Sequence, residues 1–221
     1  SKDTVLEIGP GRGIITRELL KITNHVIAIE IDRKFQYPAH PYIYGNFLTT
    51  PLPRKLYKIF SNIPFNITGD IIRKLLQSDT PSSDSYLIMQ EQAAIKFIAN
   101  DQSNTMAAIL YYPWWDIRIT HRFKRTDFVP VPQVDCVLLQ IQTRPISFID
   151  PKLKLTYQDF VSYHFGRDRT SKNIPPHHWL EMFSRSDGKS YQGSFAKLLQ
   201  QQNNLHKIHR SRTDKDWKRF K

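Results

Sequence analysis

Thr4-Val5-Leu6-Glu7-Ile8-Gly9-Pro10-Gly11-Arg12-Gly13 is a β-rich run that ends on three glycines at alternate positions. Apolar residues at helical spacing follow over residues 14–20, so the segment reads as strand, loop, helix. Glycines at such a junction let a ligand approach the backbone and the start of the helix. With 8 glycines in 221 residues, three within five positions is not a compositional accident. The turn is not a phosphate loop, because no Lys-Ser or Lys-Thr follows, and its spacing departs from the dinucleotide pattern G-x-G-x-x-G. Glu7, inside the strand, is placed to anchor the glycine loop by accepting its amide protons.

Downstream, residues 25–30, 42–44, 57–60 and 86–89 read as four more strands, with helices over 70–76 and 91–99. In the first of these helices Ile71, Ile72, Leu75 and Leu76 share a face, with Arg73 and Lys74 outside. Alternating strands and helices predict an α/β fold with a parallel sheet covered on both faces. Residues 116–123 and 135–143 alternate in polarity across a proline-bearing loop, which predicts an antiparallel pair at the sheet's edge. The stretch between Asp32 and Tyr42, with Pro38 and Pro41, is too short for the dozen or more residues of a helical crossover. A vestigial helix or missing residues is the expectation there. The Ser- and Asp-rich residues 78–85 read as a surface loop.

Lys plus Arg number 32 against 20 Asp plus Glu, a net charge of +12, which favours polyanionic partners and nucleic acid above all. Residues 1–149 hold 17 basic and 13 acidic side chains, residues 150–221 hold 15 and 7. The excess is therefore concentrated in the last third. Arg144-Pro145-Ile146-Ser147-Phe148-Ile149-Asp150-Pro151 marks a composition break, so a catalytic domain over 1–149 and a basic helical domain over 150–221 are expected. Residues 207–221, dense in Lys and Arg around Trp217 and Phe220, either share in this basic domain's polyanion binding or form a solvated or frayed tail. No stretch approaches the roughly 20 apolar residues of a membrane helix. Ser1 opens without a basic-then-apolar leader, and Cys136 is the single cysteine, so a reducing, cytoplasmic setting is expected.

Two further features carry chemistry. Glu30 closes the second strand 17 residues after Gly13, where a carboxylate can accept both hydroxyls of a ribose. With the glycine turn, it indicates a bound adenosine, although Asp32 competes for the role. Ser61-Asn62-Ile63-Pro64-Phe65-Asn66 follows the fourth strand. Pro64 restricts the backbone, so the Asn62 amide and nearby carbonyls are presented together, and Phe65 offers a ring for stacking. An exocyclic amine needs this combination: two acceptors for its N–H groups and a clamp for its ring.

Glu-Ile-Gly-Pro-Gly-Arg-Gly, Ala-Ile-Glu-Ile-Asp and Asn-Ile-Pro-Phe, in that order, resemble the ribosomal RNA adenine N6-methyltransferases. The resemblance is closest to the Erm methyltransferases of 23S rRNA, with the small-subunit dimethyladenosine transferases of the KsgA type as relatives. It covers residues 3–143, and looser similarity continues beyond 150. It implies a Rossmann-like class I methyltransferase sheet with a small helical C-terminal domain, S-adenosylmethionine as cofactor and rRNA as partner. By position, Gly9, Gly11 and Gly13 would line the cofactor pocket, Glu30 would bind its ribose and Ile31 would pack on its adenine. Asn62 and the Ile63 carbonyl would hold the target amine, and Phe65 and Phe128, the latter in Asp-Phe-Val-Pro-Val-Pro-Gln-Val, would clamp the target base. Where the family usually has Asp after strand three, this chain has Asn46, whose oxygen can still accept from the cofactor's adenine amine. The family's N-terminal Gln-Asn-Phe-Leu segment has no counterpart in the 221 residues.

The resemblance implies transfer to 23S rRNA, with macrolide-lincosamide-streptogramin resistance as its consequence. A small-subunit rRNA target and a non-catalytic nucleic-acid-binding relative are the alternatives. A monomer without metal or membrane partner is expected. His177-His178 and the pair His206 and His209 lack cysteines or clustered carboxylates for a metal, and no nucleophile elbow supports a hydrolase. Trp114-Trp115 reads as core packing at a helix end. Arg167, Arg169 and Lys172, around Gly166, read as a solvated loop or a phosphate grip.

Overall fold

Val5–Ile8 (β1) is buried along its whole length, as expected of a central parallel strand with apolar residues on both faces. It pairs in parallel with Val26–Glu30 (β2) on one side and Lys58–Asn62 (β4) on the other. Ile43–Tyr44 (β3) lies outside β2, and Asp84–Gln90 (β5) outside β4, both parallel. Trp115–Arg122 (β6) and Cys136–Thr143 (β7) complete a seven-stranded sheet in the order β3-β2-β1-β4-β5-β7-β6, with β7 antiparallel to both neighbours. The expected edge pair is therefore present. The structure is a computed structural model that describes residues 2–36, 40, 42–165, 167, 170–186, 191–202 and 204.

The chain divides into two compact units, residues 1–98 with 114–146, and residues 99–113 with 147–221. No composition break announces the assignment of 99–113 to the second unit. The first unit holds the sheet. Ile14–Leu20 (α1) connects β1 to β2, and Thr68–Gln77 (α2) connects β4 to β5. Such crossovers are right-handed, so the two helices flank opposite faces of the sheet. Ile71, Ile72, Leu75 and Leu76 of α2 are all buried, together with Leu6, Ile59, Leu87 and Met89 of the strands.

The sequence reading differs from the structure at two places in this unit, the 91–99 helix and the serine-rich loop. Glu91–Ala94 (α3) gives way to a 3-10 turn at Ile95–Phe97, short of residue 99, because Ile98 takes an extended backbone. Among the described residues no helix joins β2 to β3; Pro38 and Pro41 lie outside them. In the serine-rich stretch Ser82 and Ser85 are buried, and β5 begins at Asp84. Covering of both faces holds for β1 but not for the antiparallel edge. There Arg118 donates to Gln140 and Gln142, and these amides donate to Asp84 and the Tyr86 hydroxyl. Antiparallel strands tolerate one polar face, which residues alternating in polarity supply.

The second unit is helical. Met106–Tyr111 (α4), capped by the Thr105 hydroxyl accepting from the Ala108 amide at 3.1 Å, packs on Lys154–Phe165 (α5), which also packs on Pro176–Ser184 (α6). Tyr157, Phe160, Val161 and Trp179 form its fully buried centre, and the Tyr157 hydroxyl donates to the Ile109 carbonyl. Buried Asp159 accepts the amides of Gly193 and Phe195, holding the helical stretch over 194–202 by its first turn. Arg167 lies flat on Tyr163, 3.7 Å from the ring centre. Gly166, Arg169, His206, His209 and residues 207–221 fall outside the described residues.

Candidate active site

The strand order reverses between β1 and β4, since the chain runs outward from β1 through β2 to β3 and then returns to β4. Ligands of open α/β sheets bind at the carboxyl ends of the strands at such a switch point. The glycine turn follows β1, Glu30 ends β2, Asn46 follows β3, and Asn62-Ile63-Pro64-Phe65 spans the end of β4. The separately recognised motifs therefore share one edge. Gln90 at the end of β5 pairs with Cys136 at the start of β7, which brings the 123–135 loop and Phe128 to that same edge.

Two registered pairs, Val5 with Lys58 and Leu6 with Ile59, complete the β1–β4 ladder before the strands part. Where it stops, the Ser61 side chain takes over. The Ile8 amide donates to Ser61 Oγ at 3.0 Å, and Ser61 Oγ donates to the Ile8 carbonyl at 2.6 Å. Sequence reading missed this residue; its signal is a hydroxyl on the buried side of an alternating strand, two positions after Ile59. Ser61→Ala strands the Ile8 amide and carbonyl in a fully buried position. The expected loss is about 1–3 kcal/mol of folding stability, read from urea unfolding. An unchanged midpoint would show that the clip carries no weight.

Gly9, Gly11 and Gly13 have φ of 66°, 56° and 75°, a left-handed conformation that side chains with a Cβ resist. A Cβ built on Gly9 would reach van der Waals distance of Pro64, 3.8 Å from its Cγ and Cδ, so the first and third motifs are near neighbours. Beside Gly11 the same position meets nothing within 4 Å, leaving the turn open to a ligand. The Gly11 amide donates to Glu30 Oε2 and the Asp32 amide to Glu30 Oε1, both at 2.9 Å. Glu30, rather than Glu7, thus ties down the loop. Asp32 supplies its own carboxylate to the Lys34 amide.

Glu7 lies 2% exposed beneath the turn, where Thr16 Oγ1 of α1 donates to its Oε2 at 2.6 Å. Burial pushes its pKa up to about 7; the hydrogen bonds from Thr16 oppose the shift and the Glu30 charge adds to it. The Tyr42 phenol beside this group is raised too, by burial and by the charges of Glu7 and Glu30. Folding therefore favours protonated Glu7. The stabilisation is complete below the ordinary value of 4.5 and is lost as pH rises through about 7. The decline amounts to roughly 3 kcal/mol at most. Urea unfolding of Glu7→Gln across this range should lack the decline, and a wild-type profile flat from pH 4.5 to 7 would contradict it.

Asn62 is exposed at the end of β4, and among the described residues its carboxamide has no hydrogen-bond partner. Buried Ile63 donates its amide to the Ile88 carbonyl at 3.1 Å, which fixes the backbone between Asn62 and Pro64. Phe65, 36% exposed, opens a 3-10 turn that the buried Thr68 hydroxyl secures by donating to the Pro64 and Phe65 carbonyls. Phe128 is half-buried against Phe123, ring centres 5.4 Å apart and edge to face. Asn46 uses Oδ1 to accept the Leu48 amide at 2.9 Å, and Lys74 of α2 donates to the Phe47 and Thr50 carbonyls, holding that turn in place. Ile31 is 70% exposed beside Glu30.

Residues 1–175 match the sequence profile of the family described as ribosomal RNA adenine dimethylase. The chain belongs to that family. An rRNA adenine N-6-methyltransferase of Limosilactobacillus reuteri is 35% identical over 171 residues, 73% of this chain and 68% of the relative. An rRNA methyltransferase of Streptomyces thermotolerans is 32% identical over 172 residues, 74% of this chain and 57% of the relative. The chain thus spans between 57% and 68% of the length of these two relatives. Among solved structures, the 23S rRNA methyltransferase ErmE superposes with a TM-score of 0.71 at 22% identity, over 84% of this chain and 91% of that one. That likeness shows the class I methyltransferase fold expected of the sheet.

The other sequence candidates take ordinary structural places. Trp114 and Trp115 are buried, as core packing requires, and Trp115 begins β6. The rings of His177 and His178 meet tilted by 46° with centres 4.4 Å apart, and Nδ1 of His177 lies 4.0 Å from Asp101. Among the described residues no group of three or more His, Cys, Asp or Glu gathers as a metal site, and no helix is long and apolar enough to cross a membrane.

Proposed function

We propose that this ribosomal RNA adenine dimethylase family member transfers a methyl group from S-adenosylmethionine to N6 of an adenine in rRNA, and that the target lies in 23S rRNA. The observation that supports the reading is the nearness of the glycine turn to Pro64 across the β1–β4 switch point, as a nucleoside edge facing an amine edge requires. The cofactor fits the residues present. Each Glu30 oxygen accepts one amide and keeps a lone pair for a ribose hydroxyl. Open space at Gly11 and the bare side chain of Ile31 suit a sugar and a planar base.

When bound, S-adenosylmethionine supplies a methyl carbon already activated by its sulfonium charge, so the site has no need of a strong base. Asn62 Oδ1 and the Ile63 carbonyl accept the two N–H bonds of the adenine amine, favouring the tetrahedral nitrogen that develops as its lone pair leaves the ring. Phe65 and Phe128 hold the ring, which must leave the RNA stack to reach this edge. Alignment of nitrogen with the methyl carbon supplies the larger share of the acceleration. The +12 net charge draws the RNA, so binding should weaken steeply with salt.

The 23S assignment rests on the motif resemblance to the Erm group, and its biological consequence would be macrolide-lincosamide-streptogramin resistance. A monomer acting on naked RNA in the cytoplasm completes the proposal. Transfer of labelled methyl to naked 23S and 16S RNA, with mapping of the modified base, tests it. Labelling of 16S alone moves the target to the small subunit. No labelling of either at saturating cofactor leaves a nucleic-acid-binding relative.

A further inference from the structure

The loop between β6 and β7 carries, at its tip, a hydrophobic side chain almost wholly in water. Val129 is 99% exposed and Val131, two residues on, 61%. Single exposed valines need no explanation, but this tip sits on a fixed arm. Pro130 and Pro132 restrict its backbone. At the base of the loop the Phe123 amide donates to the Cys136 carbonyl at 3.0 Å, Arg125 Nε pairs with Asp135 Oδ1 at 2.9 Å, and the Lys124 amide donates to Asp127 Oδ2. Behind the tip His121, Phe123 and Phe128 form a train of rings, with centres 4.7 and 5.4 Å apart. The arm rises from the carboxyl edge at the Gln90–Cys136 pair, and β5, which ends there, runs beside the β4 strand that presents Asn62. Exposed Arg122, Lys124 and Arg125 line its stem.

We propose that Val129, backed by Val131, is the wedge that enters an RNA stack where the target adenine has left it. The partner is then a stacked, structured RNA segment rather than an extended strand. A base drawn out toward Asn62 leaves two neighbouring base faces in water; an apolar side chain between them replaces part of the lost stacking, as apolar wedges do in kinked duplexes. A tip already stiffened by two prolines loses little freedom on insertion. Cations on the stem face the phosphates that flank the gap. The inference rests on the methyltransferase reading.

The test uses the full chain and a hairpin RNA whose adenine is stacked, with 2-aminopurine as its neighbour, and the same hairpin with the base pair beside the adenine removed. Wild type should raise the 2-aminopurine fluorescence on the stacked hairpin. A Val129→Ser, Val131→Ser double variant should lose that rise and about tenfold or more in kcat/KM on the stacked hairpin, yet stay within about twofold of wild type on the loosened one. Val129→Leu should restore both readouts. Equal losses on the two hairpins, or no loss on either, would overturn the wedge. A wild type that raises fluorescence without transferring methyl keeps the wedge and removes the catalytic reading. Transfer without a fluorescence rise removes the wedge alone, and neither signal removes both.

Discussion

Asn62→Ala is expected to lower methyl transfer by about 10²- to 10³-fold, the scale of losing one preorganised acceptor at a reacting centre. The substitution is chemically clean. Among the described residues the Asn62 carboxamide has no hydrogen-bond partner, so its removal leaves no orphan. The Ile63 amide keeps its bond to Ile88, and Thr68 keeps the following turn. Folding stability, RNA binding and cofactor binding should therefore hold. In the proposed role the carboxamide serves the changing nitrogen, so the loss belongs in kcat rather than KM. Single-turnover transfer with labelled cofactor, beside a filter-binding titration of RNA, separates the two. Near-normal turnover would remove Asn62 from the chemistry, and a parallel collapse of RNA binding would recast it as a docking residue.

Glu30→Ala should weaken S-adenosylmethionine binding by about 2–4 kcal/mol, roughly 30- to 1,000-fold in Kd, as expected for charge-assisted hydrogen bonds lost in a buried place. Two losses combine here. The sugar loses its acceptor, and the amides of Gly11 and Asp32 lose the carboxylate that orders the turn before any ligand arrives. Glu30→Gln retains one oxygen and should fall between alanine and wild type. Calorimetric titration of the cofactor measures the effect without RNA. Unchanged affinity in the alanine variant would show that the ribose is held elsewhere.

Much of the sheet and the positions of the motifs could be read from residues 4–8, 9–13, 26–30 and 62–65, because the information there is local. Strand periodicity, a glycine cluster and a proline each act within a few residues. What the sequence concealed depends on partners far along the chain. The role of Glu7 at the glycine turn differs from expectation because Thr16 reaches it from α1, while Gly11 turns its amide toward Glu30 of β2. Strand alternation puts the Ser61 hydroxyl on the buried side but does not name its partner Ile8, which is 53 residues away. Helix α4, six residues between Thr105 and a turn, is too short for an apolar repeat to establish itself, and its membership of the second unit is set by packing on α5. The 91–99 helix was overread because amphipathic spacing continues past the residue where the backbone straightens.

Under the proposed function, the nearness of Gly9 to Pro64 has a use in inhibitor chemistry. Fragments filling the nucleoside half and the purine half of such a crevice would meet almost back to back. A compound joining them calls for only the shortest tether, and bulk added at that seam would push the two halves apart.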